Sequence, residues 1–162
     1  MNTTLDAVPV AQELGDVRLA LDTAITVVGG IASTKSYTLN VFDKTLQPAI
    51  AKYYRDTMNE DIEYFAHSVV STQDSGYFVA GEMLIPVMSD TIFSSFVAKH
   101  DSIGDVIWAK RLGLGNQETT IINGIVENPD SSVMIASMAD IEMDSSYTIL
   151  SKLDQDGNWL WN

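Results

Sequence analysis

The chain has 162 residues, 46% of them apolar and none of them cysteine, and it carries 9 basic against 22 acidic side chains for a formal charge of −13. That length supports one domain with a packed core, and that apolar content excludes a disordered chain. The charge opposes binding to nucleic acid or anionic lipid, and the absence of cysteine removes disulfides, thiolate metal sites and cysteine nucleophiles together.

No apolar run approaches the roughly 18 residues of a membrane helix, so no membrane insertion is expected. The first basic residue is Arg18, and no signal peptide is visible ahead of it. Asn2-Thr3-Thr4 is a glycosylation triplet that matters only if the chain meets the machinery for it.

Taken in chain order, the predicted elements are strands. Residues 8–15 align with the stretch from Ile107 to Gly113 when Val10 is set on Trp108. They read as a last strand with no unit before it, so residues 1–15 are expected to pair with a neighbouring chain through Val8 and Val10. A first, divergent unit covers 16–58, with strands at Ile25-Thr26-Val27-Val28-Gly29-Gly30, 37–43 and 48–53. Residues 47–58 are the best rival for a helix, but Pro48 and the repeat alignment favour a strand. The second unit, 59–115, offers strands at 65–71, 77–81, 93–100 and 106–111. The third, 116–162, repeats it, with its last strand cut short. Asp74-Ser75-Gly76 and Asp101-Ser102-Ile103-Gly104-Asp105 read as turns in which Gly supplies positive φ.

The repeat is explicit in the residues. Ser71-Thr72-Gln73-Asp74-Ser75-Gly76-Tyr77-Phe78-Val79-Ala80-Gly81 aligns with Glu127-Asn128-Pro129-Asp130-Ser131-Ser132-Val133-Met134-Ile135-Ala136-Ser137. Phe96-Val97-Ala98-Lys99-His100-Asp101-Ser102-Ile103-Gly104 aligns with Ile149-Leu150-Ser151-Lys152-Leu153-Asp154-Gln155-Asp156-Gly157, and Trp108 and Trp161 each follow four residues later. Asp43, Asp101 and Asp154 are equivalent, at separations of 58 and 53 residues. Four antiparallel strands per repeat describe propeller blades.

Turn–Gly–Tyr–apolar–Val–Ala–Gly followed by apolar–Lys–x–Asp–x–x–Gly–x–x–x–Trp resembles the β-propeller repeats of bacterial secreted and cell-surface proteins. The resemblance implies an all-β, propeller-type fold of three four-stranded antiparallel blades, with an extracellular or cell-surface location. The closing Gly-x-x-x-Trp is also similar to the tryptophan-docking motif of quinone-dependent dehydrogenase propellers, though the Asp-to-Gly spacing is one residue short. In the first unit Gln47 and Ile50 stand for the Gly and Trp.

Three blades do not readily close a ring, so the fold is expected to be completed by another chain, making a homo-oligomer, either a closed propeller or a fibre. The alternative is a fragment of a larger propeller enzyme or carbohydrate-binding protein whose missing blades hold the site. The longer connections at 31–36, 54–62, 82–91, 112–119 and 139–146 differ among copies, and their face is the expected place for a carbohydrate or protein ligand. Met83, Leu84, Ile85, Val87 and Met88 are too apolar for a solvated loop, and they read either as a folded-over strand extension or as a partner-contact patch. Asp140, Glu142 and Asp144, at every second position, form a weak Ca²⁺ candidate if extended. Asp154-Gln155-Asp156-Gly157-Asn158 resembles the opening of a calcium loop, but the hairpin turn reading is stronger.

His67 and His100 are the two imidazoles, at non-equivalent positions. No nucleophile elbow, phosphate loop, dinucleotide fingerprint or zinc spacing occurs, so no catalytic residue and no cofactor are expected. Tyr77 and the tryptophans read as packing between repeats rather than as sugar platforms. The resulting expectation is a non-catalytic structural and interaction module, self-assembling by edge-strand complementation.

Overall fold

The computed structural model of the chain describes residues 12–20, 24–88, 90–112, 119–142 and 145–161. Alternating apolar residues between Asp- and Gly-bearing turns form strands throughout. They are β1 (Gln12–Ala20), β2 (Ala24–Ile31), β3 (Ser36–Asp43), β4 (Pro48–Tyr54), β5 (Glu63–Ser71) and β6 (Tyr77–Val87). They continue with β7 (Asp90–His100), β8 (Val106–Leu112), β9 (Thr119–Glu127), β10 (Val133–Glu142), β11 (Ser145–Leu153) and β12 (Trp159–Trp161). One turn of 3-10 helix, Ala32–Thr34, follows β2. Within the 47–58 stretch, Pro48–Tyr54 is strand β4, as the proline and the alignment predict.

Chain neighbours pair antiparallel, giving three four-stranded meanders: β1–β4, β5–β8 and β9–β12. A bridge between Gly30 and Phe65 joins β2 to β5, so the first two meanders make an eight-stranded sheet curled as a half-barrel. The third meander is a separate four-stranded sheet. The fold is therefore all-β, with two antiparallel sheets.

Successive residues of a strand point to opposite faces, and the second meander uses both. Tyr77 and Val79 of β6 and Phe96 and Ala98 of β7 pack with Val28, Leu39 and Ile50 of the first meander. Phe78, Ala80 and Val97 pack the other way, against Ile122, Val133, Ile135 and Leu153 of the third. Fully burying such side chains contributes about 1.5–3 kcal/mol each. The second meander thus lies between the other two, with its back face toward the first and its front face toward the third, and the equivalent faces of the other two meanders are named alike.

Two expectations change, and the apolar stretch at 83–88 takes one of its two readings. The boundary at residue 15 falls inside β1, which pairs with β2 along its length and absorbs the change of register as a bulge between Leu14 and Asp16. Residues 12–15 so belong to the first meander, while Val8 and Val10 lie outside the described residues. The apolar stretch after Gly81 is strand, because β6 continues to Val87 and pairs with β7 up to Val87 opposite Asp90. In the turn after β5, Ser75 (φ 67°) rather than Gly76 takes the left-handed backbone, and Ser131 (φ 61°) does the same after β9. Gly76 is required for space: a Cβ there would lie 2.3 Å from the His100 carbonyl oxygen.

Candidate interaction interface

The turn after each third strand is built by one aspartate. Asp43 Oδ1 accepts the backbone N–H groups of Thr45 and Gln47 at 2.8 and 3.0 Å. Asp101 does the same for Ile103 and Asp105, and Asp154 for Asp156 and Asn158. The Asp43 and Asp154 carboxyls are held below their ordinary pKa, Asp43 foremost by the Thr45 hydroxyl, which donates to Oδ1 at 2.7 Å, and Asp154 foremost by the Asn158 backbone N–H. The fourth turn residue must adopt positive φ, and it is Leu46 (61°), Gly104 (85°) and Gly157 (80°). Leu46, not Gln47, therefore stands where the other copies have glycine.

The turns at Gly104 and Gly157 are seats for the preceding meander. The Ile50 methyl lies 3.0 Å from where a Cβ on Gly104 would be. Trp108 lies over Gly157 in the same way, ring atoms 3.0–3.1 Å from such a Cβ, and its Nε1 donates to the Gln155 carbonyl at 2.9 Å. A lysine two residues further on adds a second tie in each case. Lys52 Nζ donates to Asp105 Oδ1 at 2.6 Å, and Lys110 Nζ donates to the Gly157 carbonyl. The strand registers match: Val41 opposes Ile50, Lys99 opposes Trp108, and Lys152 opposes Trp161. Trp161 is the third member of the series, and it is 45% exposed.

The lysines opposite the tryptophans make a second repeated device. Lys99, 4% exposed, donates to Thr72 Oγ1 and Asp74 Oδ1, both at 2.9 Å, and lies 4.5 Å from the Phe78 ring centre. Lys152 reaches Asp130 Oδ2 at 2.9 Å. Desolvation alone would raise the Asp74 pKa, but bonds from Thr72, Lys99 and Gly76 outweigh it and lower it. Asp130 falls to about 2 through Ser132 and Lys152.

Between the first and second meanders lies an aromatic cluster. Tyr37 and Tyr54, opposite each other on β3 and β4, stack at 4.8 Å, and Phe96 stands 4.9 Å from Tyr37. The Tyr37 hydroxyl and His100 Nε2 are 3.1 Å apart, while His100 Nδ1 is 3.1 Å from the Gly104 carbonyl oxygen. The Tyr54 hydroxyl donates to that same oxygen at 2.6 Å. Burial drives the His100 pKa down to about 4 and both tyrosines far upward, so all three are neutral around pH 7. A 360 Å³ cleft opens beside this cluster, with Arg55 and Arg111 among its lining residues.

The sequence-derived site residues are scattered. Met83, 6% exposed, belongs to the core, which corrects its assignment as a contact residue, and Ile85 packs against that core. Leu84 is half-buried, while Val87 and Met88 are exposed. Asp144 lies outside the described residues. Asp140 and Glu142 sit opposite Ser146 and Ser145 in the backbone register, with a shift between them. His67 pairs with Glu82, Nε2 to Oε1 3.3 Å, far in the chain from His100. Sequence reasoning missed the Tyr37–His100 bond, whose partners are 63 residues apart. The available signal was a buried polar residue sharing a strand face with apolar neighbours.

The fold and this interface define an all-β protein whose successive four-stranded meanders lock together through aspartate-built turns. No protein-family model matches the chain, and no curated protein sequence matches it either.

Proposed function

We propose that the chain is a non-catalytic structural and interaction module of three propeller-type blades that assembles head to tail with copies of itself. One observation carries this reading: the front face of the third meander has the residues of a covered face and, among the described residues, nothing over it. Val97 is 0% exposed beneath the third meander, and its equivalent Leu150 is 50% exposed. Val70 packs against that same core, whereas its equivalent Val126 is 52% exposed. Trp161 extends the set that Ile50 and Trp108 begin. At the other end of the stack, Ile25, Val27, Asn40 and Phe42 are only half-buried, while their equivalents Tyr77, Val79, Ala98 and His100 are buried. Front meets back at both internal interfaces, so these two surfaces are of the kinds that meet.

Such a contact is heterologous, closing as a ring if the rotation permits and propagating as a fibre otherwise. Two copies would make a six-bladed propeller. Edge pairing by the segment around Val8 and Val10 would add to the stacking. The complete burial of His100, bonded to Tyr37 and Gly104, supports a role without catalysis. The resemblance to bacterial surface repeats supports a place outside the cell, with a carbohydrate or protein ligand on the variable connections.

The test is light scattering coupled to size exclusion, with negative-stain images of the same sample. A discrete dimer or a fibre is expected, and Leu150→Ser combined with Trp161→Ser should yield folded monomers. A wild-type chain that stays monomeric at high concentration overturns self-assembly. It would favour the rival reading, a fragment of a larger propeller protein in which a further repeat covers this face. Leu46 supports that rival, since its side chain occupies the place where Trp108 finds bare Gly157. Deleting residues 1–11 then measures what edge pairing contributes.

A further inference from the structure

We propose that the cleft between the first and second meanders binds a small aromatic carboxylate. The cleft measures about 360 Å³, enough for a ligand of one or two fused rings and near the lower end of ordinary small-molecule sites. Its walls are mostly aromatic and apolar. Tyr37 and Tyr54 come from the front face of the first meander, and Tyr64, Met83 and Phe96 from the back face of the second. Tyr64 meets Phe96 edge-on at 5.3 Å, so the rings form a fixed surface on which a flat ring can stack.

The hydroxyls of Tyr37 and Tyr54 are already committed to His100 and Gly104. A polyol would therefore find few free partners, which disfavours a neutral sugar and favours a ring carrying a single polar group. The sign of that group follows from the charges. The chain has three arginines within a net charge of −13, and two of them, Arg55 and Arg111, line this cleft. Arg111 opposes Phe96 across β7 and β8, so its side chain rises on the cleft face. Its Nε donates to Ser94 Oγ at 2.8 Å, which fixes the guanidinium and leaves both Nη groups to form a fork. Neither arginine has an ion pair among the described residues. Lys110, next along β8, turns its amine to the opposite face, toward Gly157.

Asp56 also lines the cleft, but its Oδ1 accepts the backbone N–H groups of Met58 and Asn59, at 2.8 and 3.0 Å. Burial and Asp56 raise the Tyr64 pKa to about 12, so its hydroxyl, unengaged among the described residues, is a donor at neutral pH. Two arginines and one phenol thus line a cleft whose remaining walls are mostly aromatic and apolar, a composition that suits a carboxylate on a flat ring.

The experiment is calorimetric titration of the full chain with 2-naphthoate and with its uncharged isostere 2-naphthamide. Naphthoate should bind more tightly, and Arg111→Gln should weaken it by at least about tenfold while leaving the amide within about twofold, as loss of a charge-assisted pair requires. Arg111→Lys should fall between, since it keeps the charge without the fork. Ala109→Trp, a change at an exposed cleft wall, should abolish binding of both compounds with the circular dichroism spectrum unchanged. No saturable naphthoate binding, equal affinity for the two probes, an unaffected Arg111→Gln or binding that survives Ala109→Trp would each overturn the proposal. The outcome is independent of assembly, because the cleft lies within a single chain.

Discussion

His100 has no solvent exposure, and desolvation holds its pKa near 4 despite the bond to the Gly104 carbonyl. In the unfolded chain the same imidazole titrates near its ordinary value of about 6.5. Between those values the unfolded chain binds a proton that the native one does not. Stability is therefore full above about 6.5 and falls as pH is lowered toward 4, by on the order of 3 kcal/mol in all. Urea midpoints should be level above neutrality and decline through that window. His100→Gln should start from a lower midpoint and lose this limb of the decline. The aspartates with lowered pKa, Asp43, Asp74, Asp130 and Asp154, act with the same sign at lower pH, as each is protonated through its folded value. A decline between 6.5 and 4 that survives His100→Gln would assign it to another group.

At the scale of elements, the fourth strand of a meander closes its own sheet edge and also holds the next meander by its turn. The contact between Trp108 and Gly157 should behave as a coupled pair. Trp108→Ala removes ring packing and a hydrogen bond from a half-buried site, a loss of about 2–3 kcal/mol. Gly157→Ala places a Cβ at left-handed φ, costing about 1–2 kcal/mol, and presses it against the indole. With alanine already at 108 only the backbone part remains, so a double-mutant cycle by urea denaturation should show about 1 kcal/mol of coupling. Additive effects would mean that the indole does not rest on the turn. The strands themselves were legible in the sequence, because alternation and Asp-x-x-Gly turns are local signals. So was the equivalence of Trp108 and Trp161. The left-handed serines 75 and 131 were not, since a neighbouring glycine in the first turn offered a simpler reading. The cleft was not legible either: β3, β4, β6 and β8 bring Tyr37, Tyr54, Met83 and Arg111 together only when two meanders stack.

For the whole molecule, the question is what meets the front of the third meander. A net charge of −13 repels a second copy at long range, so stacking of copies should strengthen as salt screens that repulsion. Leu46 offers a sharper handle. It holds φ 61° with its side chain 65% exposed, at the turn where a neighbour's Trp161 would have to rest. Leu46→Gly would relieve about 1 kcal/mol of left-handed strain, partly offset by the greater freedom of glycine in the unfolded chain. It would also convert this turn to the form of Gly104 and Gly157, opening a flat seat. If copies stack head to tail, dissociation followed by sedimentation should tighten about tenfold, equivalent to about 1.4 kcal/mol at the interface. Trp161→Ser should cancel that gain while leaving any gain in thermal stability in place. Should Leu46→Gly alter only the melting temperature and never the association, Trp161 does not seek this turn. The third meander's face would then belong to a different repeat, one that brings its own glycine.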